Sequence, residues 1–441
     1  MLRRWLVALV VMSLAPLGLS LRSVAGGASL GADRYIVVLK DSAPAAATAV
    51  AGRAAGLGAT VERLFGALNT LVVSLSARDA ARLRSDQRVS FVTPDRPLRL
   101  LAGDGAAAST VPTGVTRIGA APGQSPDGPS GATKPARRAA VAVLDTGIAD
   151  RPDLKVVGGV DCAPRGSLDG LLGGGGATTV DSNGHGTHVA GTIAARGTSG
   201  VIGVSPGTPL YAVRVFNSSG AGNLSGAICG LNWVAENAAE KNIKVVNMSL
   251  GGEGADDGSC GTTSDDAFHA AVCRVTAAGV TVVAAAGNDG GDFSDSTPAA
   301  YNEVLAVTAM ADFDGLPGGL APTAPCSAKA QDDTAAAFSA WAAPGSADAA
   351  HTIAAPGVCI TSTWSDGGTK SISGTSMASP HVAGLVARCI DAGPCARLTP
   401  AEIIAKLRAD AAARPDQGFI GDPQHPIDGK FYGNLVNDLG Y

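Results

Sequence analysis

Three short stretches set a polar residue among small ones, the setting that hydrolytic chemistry needs. Asp145 closes an apolar run in Val143-Leu-Asp-Thr-Gly147, His185 lies in Asn183-Gly-His-Gly-Thr-His-Val-Ala-Gly191, and Ser376 lies in Gly374-Thr-Ser-Met-Ala-Ser-Pro380. A serine hydroxyl is a weak nucleophile until a base takes its proton, and an imidazole does so best when a carboxylate fixes its tautomer. Ser376 also opens a helical stretch through His381-Val-Ala-Gly384. The amides and dipole at that helix start favour developing negative charge. Asn288 ends Ala284-Ala-Ala-Gly-Asn288 after another apolar run, where its amide can donate to an oxyanion.

Each residue alone has a plainer reading: Asp145 as a turn starter, Ser376 as an N-cap, Asn288 as a turn residue. Rival chemistries fail on particulars. Asp-Thr-Gly belongs to aspartic proteases, but two carboxylates must share a proton there, and no second Asp-Thr-Gly or Asp-Ser-Gly occurs. His185 and His188 share a helical face that suits a metal, yet Gly186 stands where a His-Glu-x-x-His helix carries its Glu. An α/β-hydrolase order needs an Asp and a His after the Ser. Only His381 and His425 follow it, and Ala378 replaces the last Gly of Gly-x-Ser-x-Gly.

These residues need a scaffold that brings them to one edge. Ala139–Leu144, Leu210–Val215, Lys244–Met248 and Val280–Ala286 are apolar runs, as expected of strands buried on both faces. Helical stretches at His185–Ala195, Ser225–Ala239, Asp265–Ala278, Met377–Ile390 and Pro400–Ala412 alternate with and follow them. The fold class is therefore α/β with a doubly wound, mostly parallel sheet, and ligands belong at the carboxyl ends of its strands. Residues 34–93 read as strand, helix, strand, strand, helix, strand, a small ferredoxin-like α+β unit. A Gly/Ala/Ser/Pro-rich linker runs from about Leu101 to Pro135, and the glycine run Leu171–Ala177 reads as a loop.

Met1-Leu-Arg-Arg, an apolar stretch from Trp5 to Leu21 and Ser23-Val-Ala25 have the layout of a secretory signal peptide. The domain division is thus 1–25 signal peptide, 26–105 N-terminal unit and linker, and 106–441 main domain. Residues 26–100 carry 10 basic and 6 acidic side chains, while residues 101–441 carry 20 and 32. No basic run exceeds two residues, which argues against a nucleic-acid partner. No later segment reaches 18 unbroken apolar residues, so no membrane span follows the leader. Eight cysteines in an exported chain favour disulfides. Proximity points to Cys260–Cys273, Cys389–Cys395 and Cys326–Cys359, leaving Cys162–Cys229, among 105 formal pairings.

Together the four motifs resemble the subtilisin-like serine proteases, or subtilases, most nearly their secreted, disulfide-bearing bacterial branch near proteinase K. The resemblance spans about Asp33 to Ile390 and includes the chain order Asp, His, Ser. It implies a secreted serine endopeptidase in which Ser376 is the nucleophile, His185 the base and Asp145 the orienting carboxylate. Asn288 and the Ser376 N–H would form the oxyanion hole, and Ser249, Leu250 and Gly251 would pair with an extended substrate. His188 then reverts to packing.

The N-terminal unit resembles the inhibitor-like propeptide, an intramolecular partner cut away in self-processing. A monomer acting on protein and peptide substrates, with broad, mainly apolar or aromatic preference and no cofactor for catalysis, is expected. Structural calcium is a family feature, here through Asp153 and the loop 195–201. Gly197 stands where that loop should carry Asn, and Thr352 where a second site should carry Asp; Asp312 and Asp314 before Gly315 offer a substitute. Against a binding module that kept only the fold stands the intact triad. A dedicated processing protease is the narrower alternative.

Overall fold

The two larger sheets of this chain that are built from its apolar runs differ in kind. The structure, a computed structural model, describes residues 33–40, 44–102, 112–121, 138–164, 179–321, 324, 326, 330–438 and 441. The expected leader and the glycine run 171–177 lie outside the described residues.

The first sheet is small and antiparallel. It contains β1 (Asp33–Leu39), β2 (Thr60–Phe65), β3 (Thr70–Leu75) and β4 (Val89–Pro94) in the order β2-β3-β1-β4, with α1 (Pro44–Gly56) and α2 (Ala77–Arg84) between them in the chain. That is the ferredoxin-like order expected. Val37, Val50, Leu71, Val73 and Leu83 form its core. Ser76 caps α2 by accepting the Asp79 N–H. Beyond β4 the chain leaves the unit as an extended tail, β5 (Pro97–Leu100).

A short helix, α3 (Thr113–Arg117), follows inside the segment read as a linker. Val115 and Ile118 are buried, and the Arg117 guanidinium lies 2.8 Å from Asp333 and 3.4 Å from Asp312. An apolar pair and an anchored Arg overcome the weak helix propensity of the Gly- and Thr-containing sequence.

The second sheet carries the site. Its strands are β6 (Ala140–Asp145), β7 (Val156–Asp161), β8 (Leu210–Arg214), β10 (Ile243–Met248), β12 (Thr281–Ala285), β14 (Val304–Ala311), β15 (Thr334–Ala335) and β16 (Thr352–Pro356). The order is β15-β14-β12-β10-β6-β8-β7, with β16 also on β14, and every pair is parallel except β14–β15. Helices α4 (His185–Ala194), α5 (Leu224–Lys241), α6 (Ala267–Ala277), α7 (Thr375–Ala392) and α8 (Pro400–Ala412) cover it. Leu144 pairs with Met248 and Met248 with Ala284, so β6, β10 and β12 end level with one another. Asp145, Ser249 and the turn to Asn288 therefore leave the sheet along one edge.

β7, β14 and β16 were not foreseen. β7 contains Gly158 and Gly159, where the chain passes so close to β8 that a Cβ on Gly159 would lie 1.9 Å from the Ala212 oxygen. The four disulfides are Cys162–Cys229, Cys260–Cys273, Cys326–Cys359 and Cys389–Cys395, the pairing that proximity favoured. No helix among the described residues is long and apolar enough to cross a membrane.

Candidate active site

Asp145 is fully buried at the carboxyl end of β6. Its Oδ1 accepts the Thr146 N–H at 2.7 Å and lies 2.7 Å from His185 Nδ1. His185 is the first residue of α4, and the chain enters that helix through Gly184 at φ +111°, a conformation suited to glycine. A Cβ on Gly184 would sit 2.3 Å from the Trp364 ring.

Asp181 locks this entry, and sequence reasoning missed it. Its Oδ1 accepts the Asn183 and Gly184 N–H groups and the Thr146 hydroxyl, each at 2.9 Å. Its Oδ2 accepts the Thr187 N–H at 2.9 Å and hydroxyl at 2.7 Å. One carboxylate thus fixes the turn after Asp145 to the turn before His185. The signal was present: an Asp four residues before the first helical residue, three before its N-cap Gly184, is a local backbone-capping pattern.

His188, the other imidazole of the motif, donates from Nε2 to the Ile360 and Lys370 carbonyls at 2.9 and 3.1 Å. Burial pushes its pKa down to about 3, so it is a neutral packing residue.

Ser376 lies in the first turn of α7 and is fully buried. Its hydroxyl donates to the Ser249 carbonyl at 3.0 Å, and the Ser249 hydroxyl donates back to the Ser376 carbonyl at 2.9 Å. Asn247 extends the clamp, donating to Ser249 Oγ at 3.0 Å and accepting from Ser379 Oγ at 2.8 Å. The start of α7 is thereby fastened to the chain where it leaves β10. His185 Nε2 has no hydrogen-bond partner among the described residues.

The Asn288 side chain is oriented by Thr375, whose N–H and hydroxyl donate to Oδ1 at 2.9 and 2.8 Å. Its Nδ2 is left facing the space beside Gly374. A Cβ on Gly374 would lie 3.1 Å from that nitrogen and 2.5 Å from the Leu101 carbonyl oxygen. Any larger residue would fill the hole.

The cleft holds this chain's own tail. β5 lies between β11 (Leu250–Glu253) and β9 (Ala221–Asn223), antiparallel to both, with Leu100 opposite Leu250 and Arg99 opposite Gly251 and Ala221. The Ser376 N–H donates to the Leu101 carbonyl at 3.2 Å, and the Leu101 N–H points to the Ser249 carbonyl at 3.5 Å. Cβ atoms on Gly251 and Gly252 would meet the side chains of Leu101 at 3.0 Å and Leu98 at 2.8 Å. Ser249, Leu250 and Gly251 thus line the strand that the tail pairs with.

Two of the places expected to hold calcium, Asp153 and the strand at Thr352, do not fit it. Asp153 is fully buried, but its Oδ1 takes the Thr198 hydroxyl and the Ser199 N–H, and the Arg151 guanidinium lies 3.6 Å from its Oδ2. A cation there would stand beside a fixed positive charge. The Thr352 carbonyl accepts from Arg408 at 3.1 Å, a second cationic neighbour. In the Asp312, Asp314 and Asp332 group, Asp332 accepts the Phe313 and Ala321 N–H groups and Asp312 faces Arg117.

A parallel doubly wound sheet whose carboxyl edge gathers an Asp-paired His, a helix-opening Ser and an Asn amide beside a seated peptide carbonyl defines a serine peptidase of the α/β class. Within that class the chain belongs to the subtilase family, whose profile matches residues 136–426. Subtilisin DY of Bacillus licheniformis is 37% identical over 319 residues, covering 71% of this chain and 96% of that protein. Subtilisin E of Bacillus subtilis (strain 168) is 33% identical over 403 residues, 90% of both chains, a match that must reach into the N-terminal unit. The crystal structure of a cold adapted subtilisin-like serine proteinase matches at TM-score 0.52 and 30% identity, covering 75% of this chain and 98% of that one.

Proposed function

We propose that this chain is a secreted, self-processing serine endopeptidase in which Ser376, His185 and Asp145 form the triad and residues 33–101 are an inhibitory propeptide. Ser376 Oγ swings from the Ser249 carbonyl toward His185 Nε2, gives up its proton and attacks the carbonyl carbon of the bound peptide. Asp145 holds Nδ1–H and stabilises the imidazolium. The oxyanion receives the Ser376 N–H and the Asn288 amide. His185 then protonates the leaving amine, and water releases the acyl group by the reverse path.

The observation that carries this reading is the Leu101 carbonyl on the Ser376 N–H. It supports Leu101–Ala102 as the bond cut in self-processing. The propeptide also grips the enzyme outside the cleft: Asp95 accepts the Ser225 N–H at 2.9 Å and hydroxyl at 2.8 Å at the start of α5, and the Leu224 N–H donates to the Arg96 carbonyl at 2.9 Å. Four disulfides and the leader-like first 25 residues support export.

Specificity follows from the tail. Leu98 and Leu101 are buried against the glycines of β11, which supports an apolar preference. Asp289, beside Asn288, is exposed and accepts the Gly291 N–H at 3.1 Å, so it can meet a basic side chain only at the rim, where a screened charge contributes about 0–1 kcal/mol. The test is labelling with a fluorophosphonate, which bonds only to an activated serine. The processed enzyme should take up one equivalent, recovered on the peptide containing Ser376. Label on another residue, or none, would remove Ser376 from the role of nucleophile.

A further inference from the structure

The tail in the cleft is recognised well upstream of the bond it presents. β5 pairs with β9 as far as Pro97 opposite Asn223, and the residues before it run along the start of α5. The Leu224 N–H, the first of α5, donates to the Arg96 carbonyl at 2.9 Å. The Ser225 N–H and hydroxyl donate to the two carboxylate oxygens of Asp95 at 2.9 and 2.8 Å, and that side chain is only 2% exposed. Asn223, the helix's own cap, serves the next donor, the Gly226 N–H, at 3.1 Å. The first N–H groups of a helix have no acceptor within it, so those of Leu224 and Ser225 are met by the tail.

The surroundings select for a carboxylate by dipoles rather than by a fixed cation. A cavity of about 580 Å³ opens beside the contact, lined from the main domain by Cys162, Ala163, Pro164, Asn223, Ser225 and Gly226. None of these side chains carries a charge, Cys162 being held in its disulfide. What the main domain offers is two N–H groups, a hydroxyl and the positive end of an 18-residue helix. The Arg34 guanidinium, 3.5 Å from Asp95, belongs to the N-terminal unit and leaves with it. Burial raises the Asp95 pKa, so desolvation offsets part of what these contacts contribute.

We propose that the start of α5 serves as a substrate subsite once the propeptide has left, and that it takes an Asp or Glu six positions before the residue whose carbonyl is attacked, as Asp95 stands to Leu101. The proposal rests on the reading of residues 33–101 as a self-cleaved propeptide. A substrate strand that pairs with β9 and β11 as the tail does brings that position to the vacated N–H groups of Leu224 and Ser225. The cavity alongside gives the longer Glu side chain room. The substrates favoured are extended apolar segments with an acidic residue upstream. Long-range attraction alone predicts the reverse, because residues 101–441 carry 20 basic and 32 acidic side chains and would draw in a Lys.

The test uses the processed wild-type enzyme and peptides copying residues 94–105, with Asp, Ala or Lys at position 95. The Asp peptide should have a kcat/KM about fivefold above that of the Ala peptide, the size of a helix cap, and the Lys peptide should be the poorest. The contact is remote from the bond that breaks, so the difference should lie mainly in KM. Moving the Asp to position 94, with Ala at 95, should abolish the advantage. In Ser225→Ala enzyme, which lacks the hydroxyl donor, the ratio of Asp to Ala peptide should fall toward one. Equal values for the Asp and Ala peptides, or a preference for Lys, with cleavage still after Leu101, would overturn the subsite and leave the serine-peptidase reading standing. Peptides left uncut after Leu101 would contradict that reading, and the subsite would fall with it.

Discussion

The backbone N–H of Ser376 donates to the carbonyl of Leu101, 3.2 Å away, although the two residues lie 275 positions apart in the chain. The amide of the proposed nucleophile thus grips the carbonyl of the bond that self-processing is proposed to cut. Substrate recognition can therefore be tested within the chain itself.

Leu101→Asp places a charge against Gly251, where an apolar side chain is buried. Losing the burial of a Leu, about 1.5–3 kcal/mol, should slow self-processing by about 10–100-fold. The check is the rate of propeptide release followed by gel after refolding. The same apolar preference should appear in a peptide library, with salt-sensitive tolerance of Lys or Arg.

Asn288→Ala removes an amide that Thr375 holds toward the space beside Gly374. The charge it meets develops mainly in the transition state, so kcat should fall by about 10²–10³-fold with little change in KM. That is the size known for removing the oxyanion-hole Asn of subtilisin. Steady-state kinetics on a peptide amide checks it; a loss confined to KM would take Asn288 out of the oxyanion hole.

Asp95→Ala withdraws the carboxylate at the start of α5. A helix cap contributes about 1 kcal/mol, so the isolated propeptide variant added to mature enzyme should inhibit about fivefold less tightly. An unchanged inhibition constant would confine the grip to the cleft strand.

Asp312 supplies a pH dependence. Burial raises its pKa to about 7, despite Arg117 nearby, while in the unfolded chain it ionises near the ordinary Asp value of about 4. Between those values the folded protein keeps a proton that the unfolded chain has released. Stability should therefore fall as pH rises from about 4 to 7, by at most about 1.4 kcal/mol per unit. Asp312→Asn stays neutral and should flatten this part of the profile. Thermal midpoints of the Ser376→Ala chain with and without it provide the check.

Much of this was legible from residue type and spacing. Asp145, His185 and Ser376 sit in runs of small residues because each must approach backbone closely, and that constraint is written locally. The apolar runs at β6, β8, β10 and β12 marked buried parallel strands for the same reason. Asp181 was less visible, since its five acceptor contacts converge only when two turns meet in space. The Arg117 anchor of α3 depends on Asp312 and Asp333, far along the chain, so the surrounding sequence read as linker. The cleft position of residues 97–101 was likewise hidden, because its strand partners are β9 and β11 rather than sequence neighbours.

The most direct measurement is N-terminal sequencing, with intact mass, of the wild-type and Ser376→Ala chains purified in parallel. Wild type should yield a mature enzyme beginning at Ala102 and a propeptide ending at Leu101, while Ser376→Ala should keep the two joined. A mature form cut elsewhere as its first product would contradict the assignment of the Leu101–Ala102 bond. A shortened Ser376→Ala chain, with no other protease present, would contradict Ser376 as the nucleophile of self-processing.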